Sequence, residues 1–114
     1  MNLGKHYIAL AVSDIVASKE FYEKFGFTAD PSCGGIQQRW IMMNNGSTMI
    51  GLYQGMFPKN IITFNPTDAR PIYKDLEERG IEFNMVQGME NESGPCSFVL
   101  TDPDGNPVLV DQHF

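Results

Sequence analysis

LTDPDGNPVLVDQ, residues 100–112, predicts a β-hairpin near the end of the chain. An extended run ends at Thr101, and Asp102 to Gly105 supply a tight turn of residue types that bond their own backbone. From Pro107 to Asp111 the side chains alternate as they do in a half-buried strand. The segment therefore closes a small sheet, and the residue in the middle of its last strand, Leu109, is apolar.

Composition indicates one compact domain of ordinary core size. The chain has 114 residues, of which 42% are apolar and 19% charged, which supports one core and not two independent ones. A net charge of −6 without a basic cluster argues against nucleic acid, whose phosphates need a cationic face. No apolar run reaches the ~18 residues of a membrane span, and the start lacks a signal-peptide pattern, so we expect a cytoplasmic protein without membrane contact. Cys33 and Cys96 are expected to be free thiols.

Periodicity predicts two sets of elements. Asp14 is the expected N-cap of a first helix in which Ser18, Phe21, Tyr22 and Phe25 fall at helical spacing, and Gly26 ends it. The first set comprises a strand at 5–12, a helix at 15–25, extended chain from 27 to 35, and strands at 37–43 and 48–54, the last two joined by a turn at Asn44-Asn45-Gly46. The second set comprises a strand at 61–65, a helix at 69–79, and strands at 82–89, 96–101 and 107–111.

The two sets are an internal repeat. Asp14 and Asp68 lie 54 residues apart, as do Gly26 and Gly80, and apolar positions match under the same offset. The sequence therefore predicts an α+β fold of two βαβββ modules in tandem, about residues 4–55 and 60–112. Each module is expected to be a curved mixed sheet with one helix, and together they form a single domain over 1–114.

These residues resemble a known family. IALAVSDIVASKEFYEKFGF at 8–27 and FVLTDPDGNPVLVDQ at 98–112 look like the two ends of a vicinal-oxygen-chelate domain. That superfamily includes glyoxalase I, extradiol dioxygenases, and fosfomycin- and bleomycin-resistance proteins. The resemblance covers the whole chain and implies a ligand cleft on the concave face of the sheets.

In catalytic members, the resemblance implies, four strand residues converge on a divalent metal. The matching positions here are Tyr7, Gly51, Ile61 and Leu109. Three of these lack a donor side chain, and tyrosine alone is a poor ligand for a divalent ion. We therefore expect no metal and no other cofactor.

Alternation aims a largely apolar and aromatic set of side chains at the cleft, where rings could stack on a flat ligand and polar groups could orient it. In the strand at 37–43 the inward residues are either Trp40 and Met42 or Arg39, Ile41 and Met43, and Trp40, Met42 and Met49 could instead fill the space as core. The candidate ligand-binding residues are Tyr7, Ala9, Trp40, Met49, Gly51, Tyr53, Ile61, Thr63, Leu109 and Asp111.

The leading hypothesis is a metal-free homodimer, resembling the bleomycin-resistance proteins, that binds a small apolar or aromatic molecule, neutral or cationic. One alternative is a metal-dependent lyase or dioxygenase whose ligands lie elsewhere, for instance at His6, Asp111 or His113. Another is a dimeric interaction module whose cleft is filled by its own side chains. The sequence leaves open whether the protein is an enzyme, and we lean towards a binding protein.

Overall fold

The computed structural model describes residues 1–114 and confirms the predicted α+β fold. Its eight strands and two helices occur in this order: β1 Lys5–Val12, α1 Ile15–Lys24, β2 Thr28–Gly35, β3 Trp40–Asn45, β4 Thr48–Gln54, β5 Ile61–Asn65, α2 Arg70–Glu78, β6 Met85–Gln87, β7 Cys96–Thr101 and β8 Pro107–Gln112. The chain divides into two compact units: a first unit, Tyr7–Ile61, and a second unit, Met1–His6 with Ile62–Phe114. Neither helix is long and apolar enough to cross a membrane.

In the first unit, the strand order is β2-β3-β4-β1. Strand β4 pairs in parallel with β1 and antiparallel with β3, so the sheet is mixed. The packed side chains beneath α1 are Ile15, Phe27, Ile41, Met43, Ile50 and Leu52. Leu10 and Val12 of β1 pack against this core, whereas Ile8, two residues before Leu10 in the same strand, is 37% exposed.

In the second unit, the strand order is β5-β8-β7-β6. Strand β8 pairs in parallel with β5 and antiparallel with β7, which repeats the arrangement of the first unit. The buried residues packed with α2 are Ala69, Ile72, Cys96, Phe98 and Val110.

The two helices begin differently. Asp14 caps α1 as predicted, because its carboxylate accepts hydrogen bonds from the N–H groups of Val16 and Ala17. Ala69 precedes α2 and offers no side-chain cap, although a proline lies in that helix's first turn. On α1, Phe21 and Phe25 are 62% and 69% exposed, so helical spacing alone did not place them in the core.

The closing hairpin is held as the sequence predicts. Asp102 accepts hydrogen bonds from the backbone N–H groups of Asp104 and Asn106 and from the Asn106 side chain, at 2.8 to 2.9 Å. These bonds lower the pKa of the Asp102 carboxyl, the Asn106 side chain having the largest effect. The turn is therefore stabilised most when Asp102 is ionised.

Two predicted strands are wrong in extent. The strand expected at 37–43 begins only at Trp40, because residues 36–39 form a turn closed by a bond from Arg39 N–H to the Ile36 carbonyl. Arg39 has a φ of +66° there, which no continuing strand allows.

The strand expected at 82–89 shrinks to Met85–Gln87. Phe83 packs instead on Tyr73 and Phe98, with ring centroids 4.6 and 5.3 Å away. At the other end, Gly88 adopts a φ of +76° and takes the backbone out of the ladder.

One arginine organises the loop that follows β6. The Arg70 guanidinium donates hydrogen bonds to four main-chain carbonyls, those of Gly88, Asn91, Ser93 and Gly94. No carboxylate takes part in these bonds, so Arg70 holds the loop through main-chain carbonyls alone.

Candidate functional site

The two faces of the first unit's sheet differ in chemistry. The ladder puts Ile41 and Met43 of β3 on the helix-covered face with Leu52, and Trp40 and Met42 on the opposite face. This resolves the two alternatives for β3 in favour of Trp40 and Met42. Cross-strand pairs Met42 with Gly51 and Gly51 with Ala9 form one row of this opposite face.

A cluster of rings lies on that opposite face, and we call it the aromatic cluster: Tyr7, Trp40, Tyr53 and Phe57. Tyr53 is its centre, because Trp40 stacks on it at a centroid distance of 6.1 Å and an angle of 11°. Phe57 packs on the same residue at 5.2 Å and 44°, and the Tyr7 hydroxyl lies 3.4 Å from the Tyr53 hydroxyl. Such offset and tilted arrangements are favourable ring geometries.

The cluster has a buried floor and an open rim. Tyr7, Ala9 and Met42 are 7%, 3% and 6% exposed and form the floor. The half-buried side chains packed against this floor are Cys33, Trp40, Met49, Tyr53, Phe57 and Ile61. Aromatic side chains that are held in place and half accessible can receive a flat ligand.

Gly51 gives Tyr53 its position. A Cβ atom on Gly51 would lie 2.6 Å from Tyr53 Cε2 and 3.2 Å from Met42 Sδ. The space above this glycine is taken by the Tyr53 ring. Because Gly51 has no side chain, the Tyr53 ring can occupy its position at the centre of the cluster.

A chain of polar contacts reaches the edge of the cluster from β2. Ser32 Oγ donates to Asp30 Oδ1 at 2.7 Å and lies 3.7 Å from Cys33 Sγ, and Cys33 packs against the cluster. The Ser32 hydroxyl is the main cause of a lowered pKa of the Asp30 carboxyl. Asp30 is thus a carboxylate three residues before Cys33, which lies at the site's rim.

The structure brings together seven of the ten predicted ligand-binding residues in the first unit: Tyr7, Ala9, Trp40, Met49, Gly51, Tyr53 and Ile61. Sequence reasoning missed Phe57 and Cys33. Phe57 lies in the connection between β4 and β5, where an aromatic residue within a loop is the available signal. Cys33 lies in β2, whose irregular pairing between Ala29 and Gly34 hides the alternation.

The other three predicted residues, Thr63, Leu109 and Asp111, belong to the second unit. Thr63 is fully buried and faces Leu109 across the β5–β8 ladder. The Asp111 carboxylate lies 3.2 Å from His113 Nε2, and Asn65 Nδ2 donates to the Asp111 carbonyl at 3.0 Å. The carboxylate and the carbonyl of Asp111 therefore both have polar partners within the second unit.

The donor set does not fit a divalent metal. Gly51, Ile61 and Leu109 have no donor side chain, and the Tyr7 hydroxyl faces Tyr53. His6 Nδ1 donates to the Thr63 carbonyl at 3.1 Å. No group of three or more His, Cys, Asp or Glu side chains lies together in the chain, including the alternative set of His6, Asp111 and His113.

Solved structures share this fold at low sequence identity. A glyoxalase/bleomycin resistance protein/dioxygenase superfamily member from Vibrio splendidus 12B01 has a TM-score of 0.71 and 16% identity, over 95% of this chain and 97% of that one. A protein described as NAD-dependent benzaldehyde dehydrogenase from Legionella pneumophila has a TM-score of 0.72 and 17% identity, over 96% and 99%. Methylmalonyl-CoA epimerase from Mycobacterium tuberculosis has a TM-score of 0.67 and 12% identity, over 97% and 88%. Because these proteins carry different activities in their descriptions, the likeness establishes the fold alone.

Sequence comparison gives the family. No curated protein matches the chain at a significant level. The sequence model of the Glyoxalase/Bleomycin resistance protein/Dioxygenase superfamily matches residues 4–110, which is nearly the whole chain and includes both repeats. The chain, with its two βαβββ units and its capped first helix, therefore belongs to the glyoxalase/bleomycin resistance protein/dioxygenase superfamily.

Proposed function

We propose that this protein is a metal-free member of its superfamily that binds a small apolar or aromatic molecule at the aromatic cluster. The observation that carries the proposal is the stack of Trp40 on Tyr53, at 6.1 Å and 11°, above a floor of buried side chains. The unsuitable residues at the four expected metal positions support binding over metal-assisted chemistry.

The cluster favours ligands with a flat ring. Indole and phenol rings offer large, rigid contact surfaces at a low cost in conformational entropy. The same rings attract cations through their negative faces, with tryptophan the strongest. Because the protein has a net charge of −6, a cationic aromatic molecule approaches it more readily than an anionic one.

Trp40 gives this proposal a direct test, since it is the chain's single tryptophan. Its fluorescence is followed while phenyltrimethylammonium, an aromatic cation, is added, with tetramethylammonium as the ring-free control and benzyl alcohol as the uncharged ring. Native mass spectrometry of protein purified without chelator examines the same sample for copurified small molecules and metal.

We expect saturable fluorescence changes with ring-bearing compounds and weaker or no change with tetramethylammonium. Tyr53→Ala removes the central ring and is expected to abolish the response, whereas Phe21→Ala removes an exposed ring on α1 and leaves it unchanged. A stoichiometric divalent metal, or identical weak responses to all compounds, would contradict the proposal.

A self-filled cleft is the second candidate. It is favoured by the Tyr53 ring, which takes the space above Gly51, and by Met42, which is 6% exposed. In that case the protein acts through its surface, and none of the ring compounds perturbs Trp40.

We also propose that the protein is a homodimer in the cytoplasm. Strands β2 and β6 are each the last strand of their unit's sheet order, and an open strand edge favours pairing with another chain. Sedimentation equilibrium tests the dimer: a single species of 12.8 kDa at micromolar protein would contradict it.

A further inference from the structure

We infer that Phe57 is a displaceable cap on the aromatic cluster, so that an aromatic ligand binds by taking the place of its phenyl ring on Tyr53. This inference rests on the proposed function and adds a selectivity-determining residue to it. Phe57 stands in the connection between β4 and β5, and not in the sheet that carries Tyr7, Trp40 and Tyr53.

The contact between Phe57 and Tyr53 resembles the contact that a ligand ring would make. The two ring centroids are 5.2 Å apart with an interplanar angle of 44°, within the range of favourable aromatic pairs. Trp40 already stacks on Tyr53, so the ring of Phe57 completes the surroundings of the central residue. A ligand that reaches Tyr53 must therefore replace this contact or settle beside it.

The connection has features that let Phe57 move while the sheet stays in place. At its start, Gly55 has a φ of +74°, and no atom lies within 4 Å of the place where a Cβ would be. Glycine in open space passes between backbone regions that other residues cannot enter. Gly55 is thus a pivot next to the end of β4.

The other end of the connection is fastened. The Asn60 side-chain oxygen accepts a hydrogen bond from the Ala11 N–H at 2.9 Å, which ties the loop to β1. Between these two ends, Met56 is 50% exposed, whereas Phe57 is half-buried against the cluster. Residues 56–59 can therefore rearrange around one half-buried side chain.

The cap has a consequence for ligand choice. A ring-bearing ligand restores the aromatic pairing that Phe57 loses when it leaves Tyr53, whereas a compact aliphatic ligand does not. Selectivity for ring-bearing molecules thus follows from the replacement of one ring by another.

The experiment compares phenyltrimethylammonium binding, followed by Trp40 fluorescence, in the wild-type protein and in Phe57→Ala and Phe57→Leu. Removing the ring frees the face of Tyr53, and we expect binding about 3- to 10-fold tighter, the size of one aromatic pair. Phe57→Leu keeps apolar bulk in the loop and guards against a simple loss of folding, which circular dichroism checks for each variant. Met56→Ala is the matched control in the same loop and is expected to bind as the wild type does.

The possible outcomes test the cap at Phe57 and the proposed function separately. Tighter binding in the Phe57 variants supports the cap, and so does binding that appears only in those variants, a result that would also favour a self-filled cleft in the wild type. Binding in the wild type that is equal or weaker in folded Phe57 variants overturns the cap and leaves the proposed function standing. No binding in any variant overturns both.

Discussion

The side-chain oxygen of Gln112 accepts a hydrogen bond from the backbone N–H of Ala69 at 2.7 Å. Gln54 makes the equivalent bond to the N–H of Ile15 at 2.9 Å. Each glutamine lies at the end of its unit's last strand, and each bonded N–H lies at the start of that unit's helix. The internal repeat therefore includes a hydrogen bond between the last strand and the helix start of each unit, as well as a pattern of apolar positions.

Gln112→Ala should destabilise the protein more than Gln54→Ala. Gln112 is buried, and its amide also donates to the Gly94 carbonyl and accepts from Cys96 Sγ, so truncation leaves several polar groups unpaired at a cost of about 2 kcal/mol. Gln54 is only half-buried, and its loss should cost about 1 kcal/mol. Urea denaturation of both variants measures the order, and equal losses would contradict this account.

Asp14→Ala and Asp68→Ala form a matched pair at repeat-equivalent positions. Asp14 caps α1 through two N–H groups, so its truncation should lower the free energy of unfolding by about 1 kcal/mol. The α2 start has no side-chain cap, so Asp68→Ala should fall within about 0.5 kcal/mol of the wild type. Urea midpoints of the two variants decide this, and a large loss in Asp68→Ala would contradict the difference between the helices.

Gly51→Ala should displace the Tyr53 ring, because the new Cβ would lie 2.6 Å from Tyr53 Cε2. We expect a loss of about 1 to 3 kcal/mol in unfolding free energy and a change in Trp40 fluorescence. In a Tyr53→Ala background the same substitution should cost about 1 kcal/mol less. Additive effects in this double-mutant cycle would show that the ring is not seated by Gly51.

Stability at acid pH should depend on Asp102. Hydrogen bonds from Asn106 and the turn backbone lower the pKa of this carboxyl in the folded state. Its contribution is therefore present above the ordinary pKa of an aspartate, about 4, and is lost as the pH falls through the lowered folded pKa. The difference in urea midpoint between the wild type and Asp102→Asn should shrink between pH 6 and pH 3, whereas Asp104→Asn, whose carboxylate makes no bond in the turn, should show no such trend.

The two thiols should react at different rates. Burial raises the pKa of the Cys96 thiol, and this residue is 4% exposed, so little thiolate is available for alkylation. Cys33 is half-buried at the rim of the aromatic cluster. Iodoacetamide at pH 8 should label one cysteine first, and Cys33→Ala should remove that fast phase while Cys96→Ala retains it.

Sequence alone predicted the bounds of those strands whose alternating apolar residues lie between clear turn or helix-cap signals. Strands at 5–12, 48–54, 61–65 and 96–101 have the bounds that were predicted, because turns or helix caps pin both ends. The face of β3 could not be predicted, since Trp40, Met42, Ile41 and Met43 are all large and apolar. Its register is set by pairing with β4, in which Trp40 faces Tyr53 and Met42 faces Gly51.

The candidate site was predictable to the extent that it follows the sheet. Tyr7 and Tyr53 were placed on one face by alternation, and their hydroxyls do meet there. Phe57 was not predictable in the same way, because a loop has no period and its contact with Tyr53 depends on how the chain leaves β4. The filled space above Gly51 was missed for a related reason, since a ring two residues away in the same strand folds back over it.

The hydrogen bonds from Arg70 make the loop at 88–94 a suitable place to introduce new functional side chains. Main-chain carbonyls are present whatever the side chains are, so the four bonds from Arg70 place little demand on the identity of the exposed residues Glu90 and Glu92. Gly88 and Gly94 are exceptions, because both have a positive φ and a Cβ on Gly88 would lie 2.4 Å from the Pro95 carbonyl oxygen. Met89 is a third, because its side chain packs against the core of the second unit. At its exposed positions, the segment can diverge or carry an engineered label while its backbone keeps the same path.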